Sequence, residues 1–252
     1  MNGHFVKMQG AGNDFILIDN RRGIWPLDAL HLRRWCDRRL GVGADQLLVL
    51  EETRRPDADF RYRIFNADGS EGKMCGNGIR CVGKYLYDNG MVGGRTTITI
   101  DTLSGVKTLE LHVSDGKMQT ARVDMGAAIL EPAKIPVNMA GSSVIDAPLV
   151  VDEKVYHVTC VSMGNPHCVI FFNEDDVDDL DLSRLGPKFE HHPLFPERIN
   201  TEFVNVLPDG SLKMRVWERG SGETWACGTG ATASVLASIL MGYVDDEAEV
   251  SL

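Results

Sequence analysis

The sequence predicts an α+β protein of two pseudo-symmetric domains, each a curved mixed sheet or barrel wrapped around a central helix. Three observations predict it. A shift of 152 residues lays one part of the chain over another without a gap: RYRIFNADGSEGKMCGNG falls on KMRVWERGSGETWACGTG, and Asn13 falls on Asn165. Each half supplies many short runs rich in β-branched and aromatic residues and few long helices. Each half also places one helix-like run directly after a Cys and a Gly-x-Gly step, in MCGNGIRC and ACGTGATA. The separation from Asn13 to Cys75 is 62 residues, and from Asn165 to Cys227 it is 62 again. A constant register over two separated segments marks an internal duplication, and its period is too long for a solenoid.

Taken in order, FILIDN reads as a strand after a Gly-Asn turn. DALHLRRWCDRRL reads as an amphipathic helix with Leu30, Trp35 and Leu40 as apolar positions. QLLVLEE and RYRIFN read as strands, and GIRCVGKYLYDN as a helix with Val82, Tyr85 and Leu86 beside Arg80 and Lys84. In the second half EKVYHVTCVSMG, HCVIFFN, TEFVNVL and LKMRVWE read as strands, and GATASVLASILMG as an almost wholly apolar helix through the centre of a domain. The acidic run NEDDVDDLD and the arginine pairs at 21–22, 33–34, 38–39 and 54–55 read as solvated surface. Small and charged residues in MAGSSVIDAPLVVDEKV place the boundary there, giving domains 1–145 and 146–252.

The chain has 252 residues, 43% hydrophobic and 25% charged, with a formal net charge of −10. That balance argues against nucleic acid and anionic membranes as partners. The start, MNGHFVKMQGAGNDF, lacks the pattern of a signal peptide, and no apolar run reaches the roughly 18 residues of a span. A soluble, cytoplasmic protein is expected. The six cysteines form no close pair of the kind that holds structural zinc, and a disulfide framework is not expected in such a chain. Cys36, Cys81, Cys160 and Cys168 read as core.

Cys75 and Cys227 differ because each stands at a helix start. Unpaired N–H groups and the positive dipole end collect there, which lowers a thiol's pKa. The following glycines let the backbone approach a carboxylate or a phosphate, but the lysine of a P-loop is absent and GVGAD is not a dinucleotide fingerprint. Two such thiols in duplicated contexts suit inversion at an acidic carbon, in which one base removes a proton from one face and an acid delivers one to the other. A nucleophilic cysteine enzyme needs only one.

The blocks FNADGSEGKMCGNGIRC, SMGNPHCVIFF, HHPLFPERINTEFV and MRVWERGSGETWACGTG resemble the diaminopimelate epimerases, pyridoxal-independent amino acid racemases with two cysteines, and the resemblance runs from GAGNDFILID nearly to the end. It implies epimerisation of LL-2,6-diaminopimelate to the meso form without metal, flavin, nicotinamide or pyridoxal phosphate, by a homodimer. It implies Cys75 and Cys227 as the acid–base pair, with the reacting carboxylate receiving N–H bonds around Gly76–Asn77 and Gly228–Thr229. Asn13, Gln46 and Asn66 match pocket positions, and Asn165, Asn200 and Arg219 join Asn66 in recognising the distal amino acid end. Glu218 matches an acidic partner near the reacting ammonium and thiol, and His167 a histidine that tunes a thiol. A zwitterion needs such a set: Arg grips a carboxylate as a fork and Asn both donates and accepts. Each residue also has a plain structural reading. Asn13 forms a turn after Gly12, Gln46 supports a loop, Glu218 and Arg219 make a surface pair, and His167 is a satisfied core histidine. A racemase of another polar amino acid, such as histidine or glutamate, and a non-catalytic amino-acid-binding module remain as alternatives. Family members continue with further strands where this chain ends at DDEAEVSL, so the second domain is expected to be short at its end, with part of its sheet unpaired.

Overall fold

The computed structural model describes residues 4–173 and 175–252, so Met1–Gly3 at the start of the chain and Glu174 in the acidic run lie outside the described residues. Two compact units divide between Met125 and Gly126, ahead of the boundary expected at 145. The reason is packing. Ile129 pairs with Ser162 across an isolated bridge, and Ile135 and Val137, after a turn of 3-10 helix at Pro132–Lys134, are buried in the core of the second unit.

The first unit contains β1 (Phe5–Gly10), β2 (Asn13–Asp19), α1 (Ala29–Cys36), β3 (Gln46–Glu51), β4 (Phe60–Asn66), β5 (Glu71–Gly72), α2 (Gly76–Asp88), β6 (Thr97–Thr102), β7 (Gly105–Ser114) and β8 (Lys117–Val123). Its mixed sheet runs β1-β2-β3-β4-β6-β7-β8, with β5 added to β4. The β2–β3 and β4–β6 pairs are parallel. The continuous apolar run FILI is what a strand buried on both faces requires. Phe15 and Leu17 pack toward Ile79, Val82 and Leu86 of α2, while Ile16 and Ile18 pack toward Leu32 and Cys36 of α1. Helix α2 packs against β1 and β8, the two edges of the sheet, so the sheet wraps around it. Gly83 allows this: a Cβ there would lie 2.9 Å from Leu109 Cδ2.

Helix α1 is shorter than the amphipathic pattern suggested. Asp28 caps its start by accepting from the Leu30 and His31 N–H groups, but Asp37 then accepts from Arg39 and Leu40 N–H and turns the chain. The buried positions are Leu32 and Cys36, whereas Leu30 and Leu40 are exposed.

The second unit contains β9 (Val144–Val151), β10 (Lys154–Ser162), β11 (Pro166–Phe171), α3 (Leu182–Glu190), β12 (Asn200–Val206), β13 (Leu212–Glu218), β14 (Gly222–Thr224), α4 (Gly228–Leu240) and β15 (Val250–Ser251). Its sheet runs β14-β13-β12-β11-β10-β9, with β15 parallel to β13. The duplication is visible element by element: β4 and β13, and α2 and α4, begin and end 152 residues apart. Strands β3 and β12 are offset by 154 instead, since Gln46 lies opposite Phe15 and Asn200 opposite His167. The buried face of α4 is made of small residues, Ala233, Ser234, Ala237 and Ser238, which let β10, β11, β12 and β13 approach. Val235, Leu236, Ile239 and Leu240 are partly buried. All six cysteines are free, with Cys36, Cys81, Cys160 and Cys168 buried as core. No helix among the described residues is long and apolar enough to cross a membrane.

Candidate active site

Each unit brings its cysteine to a helix start in the same way. Arg63 forks onto Glu71 (2.6 and 2.9 Å), and 152 residues later Arg215 grips Glu223 (2.9 and 2.6 Å). These pairs tie β4 to β5 and β13 to β14, the hairpins that lead into the two cysteines. Cys75 and Cys227 are then the N-caps. Each has extended backbone, and its sulfur accepts the N–H three residues on, from Gly78 at 3.4 Å and Gly230 at 3.3 Å. A sulfur in the capping position faces the positive end of its helix. Gly76 and Gly228 open the helices, where first-turn N–H groups lack intrahelical acceptors.

In the first unit the Cys75 thiol donates to Asn13 Oδ1 at 3.7 Å, and Asn13 Nδ2 donates to Asp45 Oδ2 at 3.0 Å. Asn13 is thus a neighbour of the thiol, held in place from behind. Gln46 Nε2 donates to Asn66 Oδ1 at 2.8 Å, and Asn66 Nδ2 to Ser70 Oγ. Gln46 Oε1 is buried without a hydrogen-bond partner among the described residues. Asn77 is buried, and its side-chain oxygen accepts from Arg80 Nη2. Behind the helix start stand Phe15, Leu48 and Tyr62; a Cβ on Gly78 would lie 2.7 Å from the Tyr62 hydroxyl and 3.0 Å from Leu48 Cδ2.

In the second unit Asn165, His167, Glu218, Cys227 and Thr229 converge. His167 Nε2 lies 3.1 Å from Asn165 Oδ1, and Asn165 Nδ2 donates to Thr229 Oγ1 at 3.2 Å. Thr229 Oγ1 is 3.3 Å from Cys227 Sγ. Glu218 Oε1 accepts from the Thr224 hydroxyl at 2.5 Å, and its carboxyl is near enough to the Cys227 sulfur to act on its protonation. Asn200 occupies a supporting position: its Nδ2 donates to Pro166 O, and its Oδ1 accepts the Arg219 N–H at 2.9 Å. Arg219 itself is exposed, and Nη1 donates to Glu197 O.

The electrostatics correct one expectation. A helix start lowers a thiol's pKa, but burial pushes that of Cys227 well above its ordinary value, with the Glu218 and Glu202 carboxyls adding to the rise. The hydrogen bonds from Thr229 and Gly230 act in the opposite direction without overcoming burial. The resting Cys227 therefore holds its proton. Burial also raises the Glu218 carboxyl, against the Thr224 hydrogen bond. Asn165 and Thr229 stand between His167 and the Cys227 thiol.

One residue of this group escaped the sequence reading. Glu202, in TEFVNVL, is fully buried with its Oε1 2.7 Å from His167 Nδ1. An acid inside an otherwise apolar strand was the available signal, since buried charges are costly unless paired.

This duplicated α+β fold is shared with solved racemase and epimerase structures. A hydroxyproline epimerase from Agrobacterium vitis aligns over 96% of this chain and 78% of its own at a TM-score of 0.71 and 15% identity. A probable proline racemase from Agrobacterium radiobacter aligns over 95% and 78% at 0.72 and 16%. At those identities the likeness defines the fold. The sequence goes further. The family model for diaminopimelate epimerase matches residues 5–131 and 159–252. The diaminopimelate epimerase of Acetivibrio thermocellus is 49% identical over 98% of this chain and 87% of its own length, and that of Pelotomaculum thermopropionicum is 50% identical over 99% and 88%. The chain belongs to the diaminopimelate epimerase family.

Proposed function

We propose that this chain epimerises LL-2,6-diaminopimelate to meso-diaminopimelate by a two-base mechanism without a cofactor. The observation that carries the reading is the pair of thiol-capped helix starts, Cys75 and Cys227, repeated 152 residues apart in a member of this family. One sulfur, as thiolate, takes the α-proton from one face of the carbon. The other, as thiol, delivers a proton to the opposite face, and the two exchange roles in reverse. Burial favours the protonated form of Cys227 at rest. Charge that develops on the reacting carboxylate meets backbone N–H groups around Gly76–Asn77 and Gly228–Thr229, donors of the kind that stabilise such states. Asn13, Gln46 and Asn66 line the pocket. Asn165, Asn200 and Arg219 join Asn66 on the distal zwitterion, with Asn200 holding the Arg219 backbone. Glu218 faces the reacting ammonium and the Cys227 thiol. The assembly that goes with this reading is a cytoplasmic homodimer acting on a free amino acid; the net charge of −10 supports small-molecule rather than nucleic-acid or membrane chemistry.

The test incubates the reduced protein with LL-diaminopimelate in D₂O and resolves the stereoisomers by mass spectrometry. Meso product carrying deuterium at the inverted carbon is expected, with Cys75→Ala and Cys227→Ala each abolishing the conversion. Near-normal inversion by either variant would overturn the two-base reading. Absence of deuterium uptake by the folded, reduced protein would overturn the substrate assignment.

A further inference from the structure

We infer that Glu202 is a positioning residue for Cys227, acting through a one-way chain of hydrogen bonds that runs Glu202–His167–Asn165–Thr229–Cys227. The inference rests on the reading of Cys227 as one of the two acid–base groups.

The donors along this chain all point one way. Asn165 presents its oxygen to His167 Nε2 and its Nδ2–H to Thr229 Oγ1. An amide oxygen only accepts, so His167 Nε2 carries a proton. Thr229 Oγ1 receives the Asn165 N–H, and its own hydrogen is left for Cys227 Sγ at 3.3 Å. With the Gly230 N–H, the sulfur then faces two donors. Those donors are best matched by a thiolate, the state of Cys227 once it has given up its proton, because hydrogen bonds to a charged acceptor are the stronger ones.

Glu202 fixes this direction at its far end. Its Oε1 lies 2.7 Å from His167 Nδ1, and neither side chain has any exposure. One proton shared on that line leaves the pair neutral whichever atom holds it. It also leaves Nε2 as the only ring nitrogen facing Asn165. Glu202 Oε2 has no hydrogen-bond partner among the described residues, so a lone carboxylate there would be poorly compensated.

The duplication supplies an internal control. Through the strand offset, Glu202 corresponds to Leu48, and His167 corresponds to Phe15. Gly78 abuts Leu48 as Gly230 abuts Glu202, whose Oε1 would lie 2.6 Å from an added Cβ. The same backbone positions are thus apolar behind Cys75 and charged behind Cys227. A core that accepts Phe and Leu at these sites does not need a buried His–Glu pair for packing.

The titratable groups facing Cys227 are Glu218 from β13 and Glu202 from β12, with His167 from β11 behind Asn165. An unpaired Glu202 carboxylate would oppose a thiolate, whereas the neutral pair and its directed donors favour one. The sign of the effect is therefore the test. Alkylation of Cys227 and Cys75 by iodoacetamide is followed against pH in the full-length protein without substrate, with each site resolved by peptide mass spectrometry. In Glu202→Leu, the residue of the other repeat, the Cys227 profile is expected to move to higher pH, slowing alkylation about tenfold at a fixed pH below the midpoint. The Cys75 profile stays in place. Glu202→Gln, whose amide N–H can donate to Nδ1 and keep the Nε2 proton, is expected to restore most of the reactivity. If the Leu variant does not fold, ¹⁵N NMR of His167 in Glu202→Gln decides: an Nε2-protonated ring supports the chain, and a bare Nε2 overturns it. A Cys227 profile that is unchanged, moves to lower pH, or moves together with that of Cys75 also overturns it. Because no substrate is present, these outcomes stand apart from any failure to convert diaminopimelate.

Discussion

Replacing Gly230 by Ala sets two known effects against each other at the start of α4. A helical Gly→Ala change ordinarily gains up to about 1 kcal/mol from backbone entropy. Here the new Cβ would lie 2.6 Å from Glu202 Oε1 and 3.2 Å from Cys227 Cβ. The oxygen cannot swing away freely, since it is fully buried and bonded to His167 at 2.7 Å. Overpacking a buried site costs about 1–3 kcal/mol, and stretching a hydrogen bond to a charged partner adds up to roughly 1.5–3 kcal/mol. The net expectation is a loss of about 2 kcal/mol in the second unit, after the propensity gain is deducted. Because two compact units need not unfold together, the measurement is urea-dependent hydrogen exchange resolved on α4 and α2 separately. Destabilisation confined to α4 and its sheet is expected, and Glu202→Ala in the same chain should relieve it, giving a non-additive cycle. If Gly230→Ala is as stable as the parent or more so, the carboxylate does not occupy the space behind α4, and the reasoning from that contact fails.

Two further outcomes concern pH. Burial would raise the Asp14 carboxyl, but Arg38, Lys7 and the Asp45 N–H outweigh it and hold the group well below the ordinary range. Its contribution is therefore present above about pH 4 and lost as pH falls through the lowered folded value; Arg38→Gln should move the acid-unfolding midpoint, followed by circular dichroism, to higher pH, and an unmoved midpoint refutes this account. Glu218 has the opposite sign: burial raises its folded pKa, so its stabilising share is full below about pH 4.5 and is lost as pH rises through the folded value. Glu218→Gln should flatten the fall in urea midpoint as pH rises above the ordinary carboxylate range, relative to the parent, whereas an unchanged slope would show that the carboxyl is not desolvated.

Much of this was legible in the residues. The 152-residue register fixed which segments are equivalent, and the equivalence holds in β4 and β13, in α2 and α4, and in the twin Arg–Glu forks. The FILIDN run announced a strand, and the Cys-Gly-x-Gly steps announced two helix starts. Other readings needed more than pattern. Leu30 and Leu40 looked apolar enough to face a core, yet Asp37 ends α1 first and both are exposed. The apolar α4 read as central, and it packs against β10, β11, β12 and β13, but which of its residues make that contact, the small Ala and Ser rather than the Leu and Ile, was not legible in an almost wholly apolar run.

Sequence by itself determined the duplication, the position of each thiol at a helix start and the family, because these depend on local spacing and on residue types in fixed order. The tertiary structure decided which groups act on which thiol. Glu202 is 35 residues from His167 in the chain and reaches it only because β12 pairs in parallel with β11. It likewise decided that Cys227 rests protonated, since burial is a property of everything packed around the sulfur and outweighs the helix end that the sequence could see.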